Sequence, residues 1–186
     1  MSLIDQLLPA YQFRERHSCR VAADPALVLD AVAAYRADDD RFFRFMIGLR
    51  ELPMRLLAKA DRIPEPFGLH NFTLLARTDE AIVYGLIGKF WRLNYGLTPV
   101  ASGEAFRSSS EKGMAKLALG FSVQNASVGQ TKLVTETRVH CPDRLSRLSF
   151  TPYWILIRPV SGLIRRRTLN SVKGRSERSS SPIRSP

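Results

Sequence analysis

Few side chains in this sequence could do chemistry, and they are far apart. The chain has three histidines and two cysteines among 186 residues. His17 and Cys19 sit two apart, so a strand would put them on one face. His140 and Cys141 are adjacent, so their side chains diverge. No CxxC or HExxH spacing occurs, and a zinc site would need distant residues to meet in the fold. The spacing favours structural thiols and surface or strand-end histidines, with no metal and no cofactor. No GxSxG stretch surrounds a serine. Neither GxGxxG nor the Walker pattern is present. The residues therefore assign no catalytic group.

Two features keep a chemical role open. His70 follows a Pro/Gly loop and opens a strand. It sits either at a cavity mouth, polarising a ligand oxygen, or at a strand end in water. Glu104 and Arg107, in the loop or short strand SGEAFRSSS, either pair across a cavity rim or are ordinary surface charges.

The elements that must position these residues read as follows. A short apolar leader, residues 1–10, precedes an alternating strand over Tyr11 to Val21. Asp24-Pro25 then caps and starts a helix with Leu27, Val28, Ala31, Val32 and Tyr35 as its apolar stripe. Asp38 to Asp40 precede a second helix, whose apolar side runs from Phe42 to Leu57 and which Pro53 splits or kinks. Prolines and a glycine make residues 61–68 a loop. Strands follow over Asn71 to Arg77 and Ala81 to Trp91. Gly113 to Cys141 forms a hairpin. Matching its apolar faces pairs Phe121 with Leu133 and Leu117 with Thr137, across a three-residue loop that places Gly129 at positive φ. From Asp143 to about Arg175 apolar residues recur at three- and four-residue steps, among them Leu145, Leu148, Tyr153, Trp154 and Ile157. Residues 176–186 are rich in serine and arginine and read as disordered.

Residues 11–175 thus form one α+β domain. A run of antiparallel strands lies between two N-terminal helices and a long C-terminal helix. The apolar fraction of 45% suits a globular core. The formal net charge is +11, and from Arg165 to Pro186 seven basic residues face one acid. More than half of the charge therefore sits at one end. That end could meet nucleic acid or anionic membrane, but it carries no aromatic residue for base stacking, so nucleic acid is not the expected partner.

The stretch TPYWILIRPVSGLIRRR, from Thr151 to Arg167, could anchor the chain in a membrane. Its apolar run, Tyr153 to Ile164, spans only about 18 Å as a helix, against a ~30 Å hydrocarbon core. No transmembrane segment is expected. Two cysteines are too few for a disulfide-stapled scaffold, and Asp5 with no basic n-region argues against a signal peptide, so a cytoplasmic protein is expected. Oligomeric state is left open.

Several stretches carry a resemblance: RERHSCRVAADPALVLDAV, GLIGKFWRL, AKLALGFSV, TETRVHC and YWILIRPVSGLIRRRTLNSVK. In these the chain resembles the START-like, or SRPBCC, helix-grip superfamily that includes polyketide cyclases, and within it a bacterial family. The resemblance implies a curved antiparallel sheet wrapped around the C-terminal helix, with a cavity between them. It implies a hydrophobic small molecule or lipid as ligand, with cyclase or hydrolase chemistry in the same cavity as the alternative. The candidate lining residues are His70, Phe72, Phe90, Trp91, Leu119, Phe121, Thr135, Thr137, Trp154 and Ile157. Thr135 and Thr137 lie on the inward face of their strand, either because hydroxyls line a cavity or because threonine is a good strand residue.

Overall fold

The computed structural model describes residues 1–35, 71–92 and 95–180. The second expected helix, the loop over residues 61–68 and His70 lie outside the described residues. The elements are α1 (Leu3–Leu7), β1 (Phe13–Val21), α2 (Pro25–Ala33), β2 (Thr73–Arg77), β3 (Ala81–Gly88), α3 (Gly103–Ser108), β4 (Ala115–Ser127), β5 (Gln130–His140) and α4 (Arg144–Ser180). The fold is α+β. One antiparallel sheet has the order β1-β5-β4-β3-β2, so β1 pairs with the last strand and its other edge has no partner strand among the described residues. A long C-terminal helix against such a sheet agrees with a helix-grip fold.

Alternation along the strands separates two apolar faces. The inner face packs on α2 and α4 through two clusters. One joins Val28, Leu29 and Val32 to Ile82, Leu119, Phe121, Leu133, Leu169 and Val172. The other joins Leu86, Phe90, Ala115, Val139 and Cys141 to Phe150 and Trp154. The outer face packs on α1 and α3, where Ile4, Leu7, Leu8 and Phe106 cover Leu75, Val83, Ile87 and Ala118.

Local chemistry explains where the elements begin. Asp24 accepts from Ala26 N (2.9 Å), with Pro25 opening α2. Asp143 sits just before α4. Its carboxylate accepts from Gly113 N (2.6 Å) and Ser146 N (2.8 Å). These bonds, the one from Gly113 foremost, hold its pKa down at about 2. Pro152 and Pro159 lie inside α4 on its exposed side, where water can reach the carbonyls that their missing N–H groups leave unpaired.

The structure corrects several local expectations. The hairpin register is two residues away from the expected one: Phe121 faces Thr135 and Leu117 faces Val139. A tight turn at Val128-Gly129 and a bulge between Asn125 and Ser127 replace the three-residue loop. A shift of two keeps every side chain on its face, so the apolar pattern could not distinguish the registers. Gly129 has φ 69°, as its turn position requires. SGEAFRSSS forms α3, capped by Ser102, which accepts from Ala105 N (3.1 Å). Strand β3 stops at Gly88 because Lys89 N turns to the Tyr95 carbonyl (2.7 Å). Leu145 and Leu148 are 77% and 70% exposed. The phase of α4 is set instead by Ser146, Phe150 and Trp154, which are buried at four-residue steps. Helix α4 also runs five residues past Arg175, and Ser176 is buried there, bonded to the Val172 carbonyl (2.9 Å).

The N-terminal residues are fastened to the outer face by one guanidinium. Arg138, 5% exposed, donates through Nε to Glu136 (2.6 Å), through Nη2 to Asp5 (2.7 Å) and through Nη1 to the Leu8 carbonyl (3.2 Å). The Tyr11 ring lies 4.6 Å from it. Burial alone would raise the Glu136 pKa, but hydrogen bonds from Arg14 and Arg138 outweigh it and hold the carboxyl low. Arg138→Met should therefore cost roughly 3 kcal/mol in urea unfolding, because it leaves Glu136 buried with fewer partners. The Asp5 carboxyl is held at about 2, below its ordinary 3.8, by hydrogen bonds from Ser2 and Arg138. A depressed carboxyl stabilises the fold above its unfolded value and loses that effect as pH falls through its folded value. The stability gap between wild type and Asp5→Asn should thus close between about pH 4 and pH 2, as read by urea midpoints at stepped pH.

Candidate functional site

Strand β1 and helix α4 run side by side, and their contacts change character along the way. At one end Phe13 meets Phe150 and Trp154, with ring centroids 4.9 and 5.7 Å apart. At the other, Cys19 Sγ lies 4.0 Å from the Leu169 carbonyl and Ala22 N donates to Glu177 (3.0 Å). Six strand residues and fifteen helix residues separate the ends, both about 20 Å. Between the two apolar anchors, the inner face of β1 carries Glu15 and His17. Their cross-strand partners on β5 are Thr137 and Thr135. A polar stretch therefore interrupts the core directly beneath the middle of α4.

Glu15 and His17 touch. Their Oε1 and Nε2 atoms are 2.7 Å apart, with side chains 7% and 21% exposed. With the carboxylate accepting, Nε2 carries the proton and Nδ1 is the nitrogen left for another partner. Gly162 lets the helix pass this close. A Cβ there would stand 3.1 Å from Glu15 Oε1 and 3.8 Å from the His17 ring. A glycine inside a helix costs about 1 kcal/mol relative to alanine, so close approach is a physical reason for its place here.

Four side-chain atoms are buried without a hydrogen-bond partner among the described residues: Glu15 Oε2, Thr135 Oγ1, Thr137 Oγ1 and Arg165 Nε. The first three lie on adjacent positions of the inner face, and Arg165 lies on the helix above. Thr131, also on the inner face of β5, differs because it donates to the Ala23 carbonyl (2.6 Å). Arg165 is half-buried as a residue, yet its Nε is shut off from solvent. Burial pushes its pKa down to about 10, and the Glu15 charge acts against that shift.

A groove of about 540 Å³ opens from this stretch between β1 and α4. One wall is the four consecutive residues Arg14 to His17, and the other is Arg158, Pro159, Gly162, Leu163 and Arg166 of α4.

The residues expected to line a cavity are distributed differently. Phe90 and Trp154 are buried together, with Trp91 and Ile157 packed against them. Leu119 and Phe121 belong to the other inner cluster. Phe72 packs against both. None of these lines the groove. Thr135 and Thr137 adjoin it, as the cross-strand neighbours of His17 and Glu15. Glu15, His17, Gly162 and Arg165 were not among the residues expected there. Their signal was a carboxylate and an imidazole on the apolar face of YQFRERHSCRV, and a glycine in mid-helix.

The other reactive side chains lie elsewhere. Cys141 is buried, and burial pushes its thiol up to about 12. His140 ends β5 and contacts Gln12 at 3.4 Å. Among the described residues no group of three or more His, Cys, Asp or Glu is placed to hold a metal ion, and no helix is long and apolar enough to cross a membrane.

No family model and no curated protein matches the chain. Among solved structures it aligns with the Zhui aromatase/cyclase of Streptomyces sp. R1128, at 13% identity and a TM-score of 0.36, over 94% of this chain and 99% of that one. It also aligns with the protein TTHA0849 of Thermus thermophilus, at 8% identity and a TM-score of 0.33, over 91% and 100%. Likenesses this distant identify neither a family nor an activity.

Thr135→Val and Thr137→Val test the polar stretch itself. A buried hydroxyl without a partner is a cost, so each isosteric change should leave the ligand-free protein as stable or raise its stability by about 1 kcal/mol in thermal unfolding. A loss of similar size would mean that the hydroxyl is satisfied within the fold.

Proposed function

We propose that the protein binds a hydrophobic small molecule or lipid between the sheet and α4, in the groove that opens beside Gly162. The observation that carries this reading is the gathering at one place of the four buried atoms that have no partner among the described residues. Folded proteins rarely leave such groups unpaired, and where they cluster they mark polar positions that something else can satisfy. Apolar walls with a few convergent polar groups are what small ligands need. Here Pro159 and Leu163 supply apolar wall, and Glu15 and His17 supply polar groups facing it.

A second reading is favoured by the Glu15–His17 contact. A histidine oriented by a carboxylate is a suitable general acid or base. Cyclase or hydrolase chemistry would then use His17 Nδ1 in the same groove. His17→Gln should abolish such turnover and leave ligand affinity within about threefold, since it keeps a polar group of similar size.

Gently purified full-length protein should carry a non-covalent small molecule in native mass spectrometry, released by solvent extraction. The neutral probe N-phenyl-1-naphthylamine should bind with enhanced fluorescence. Gly162→Met, with an unchanged circular dichroism spectrum, should weaken that binding by about tenfold or more, equivalent to ~1.4 kcal/mol. A protein that carries no adduct and does not bind the probe would contradict the reading.

A further inference from the structure

We infer that the ligand is an anionic amphiphile, with a carboxylate or phosphate head held at the groove mouth by Arg158 and Arg166. The inference rests on the reading of the groove as a ligand site and names the chemistry of its occupant. Arg158, Gly162 and Arg166 are spaced by four residues, so they share one line along α4. The two guanidinium groups thus stand one turn to either side of the glycine that opens the groove, both on its wall. Both are exposed, and neither has a hydrogen bond or ion pair among the described residues.

The surrounding charges do not neutralise this mouth. On the opposite wall, Arg14 and Arg16 add two more cations, and both turn to Glu136, at 2.9 and 3.7 Å. Glu136 is also engaged by Arg138. Glu15, the carboxylate within the groove, is in contact with His17. Arg165 of the same helix adds a further cation, its Nε without a partner among the described residues. The cations outnumber the carboxylates, and Arg158 and Arg166 pair with neither carboxylate among the described residues. Guanidinium groups take carboxylate and phosphate oxygens in paired, charge-assisted hydrogen bonds. An acid head is therefore the group this mouth can hold.

The same wall also supplies apolar surface. Pro159 and Leu163 lie between the two arginines, and Leu163 is 50% exposed despite its size. A free inorganic anion would leave that surface bare, whereas the body of an amphiphile would cover it. Head and body are thus recognised by alternating residues of one helix.

Isothermal titration of the full-length protein with octanoate, octyl phosphate, octanol and inorganic phosphate tests the inference. Octanoate or octyl phosphate should bind about tenfold or more tightly than octanol, and the one that binds more tightly identifies the head. That advantage should shrink in high salt. In the Arg158→Gln/Arg166→Gln double variant the acids should fall to the affinity of octanol, with octanol unchanged. Both side chains are exposed, so the variant should fold, which circular dichroism checks. Octanol binding as tightly as the acids would overturn the inference and leave the apolar-ligand reading standing. Inorganic phosphate binding as tightly as octyl phosphate would also overturn it, because the apolar strip would then contribute nothing. If none of the four binds, both readings fall.

Discussion

The close passage of α4 over the edge strand β1 is the constraint on which the rest of the structure depends. The helix is anchored at both ends by apolar clusters, Phe13 with Phe150 and Trp154 at one end and Leu169 and Val172 with the α2 cluster at the other. With the ends fixed, the middle must lie against whatever the strand presents there. That is Glu15 and His17, backed by Thr137 and Thr135. A Cβ on the helix at this point would stand 3.1 Å from the carboxylate and press on it, and position 162 is glycine. Leu133 and Val139 show that the same inner face accepts ordinary apolar packing on either side. The interruption is confined to the stretch beneath Gly162.

This arrangement costs stability. Burying polar groups without partners is unfavourable by about 1–3 kcal/mol each, and glycine weakens the helix locally. The apolar anchors and the buried Arg138–Glu136 network on the opposite face offset those costs. The outer face near β1 thus holds a paired charge network, and the inner face holds the polar stretch to which the proposed ligand site is assigned. Among the described residues the outer-face network is satisfied, whereas the polar stretch on the inner face holds atoms without partners and adjoins the groove.

Much of the fold was legible because it depends on periodicity. Alternation placed β1, β3, β4 and β5, and Asp24-Pro25 placed the start of α2. The hairpin register was not legible, since a two-residue shift leaves the apolar pattern unchanged and only the turn and bulge distinguish the registers. The phase of α4 was half legible: Trp154 and Ile157 face inward, but Leu145 and Leu148 do not, because the Asp143 cap and Phe150 set the rotation. The site was the least legible part. Thr135 and Thr137 were singled out by residue type. Glu15 and Arg165 were not singled out, because burial of a charged residue is decided by which element crosses it, and no local pattern encodes that crossing.

The central claim is that the polar stretch beneath Gly162, rather than the aromatic cluster around Phe90 and Trp154, receives the ligand. Methyl and amide NMR on the full-length protein during titration with octanoate locates the contact directly. The largest shift changes are predicted at the Thr135 and Thr137 methyl groups and the Gly162 amide, with the Trp154 indole signal nearly unmoved. Largest changes at Trp154 and Phe90, with the two threonine methyls unmoved, would contradict the claim.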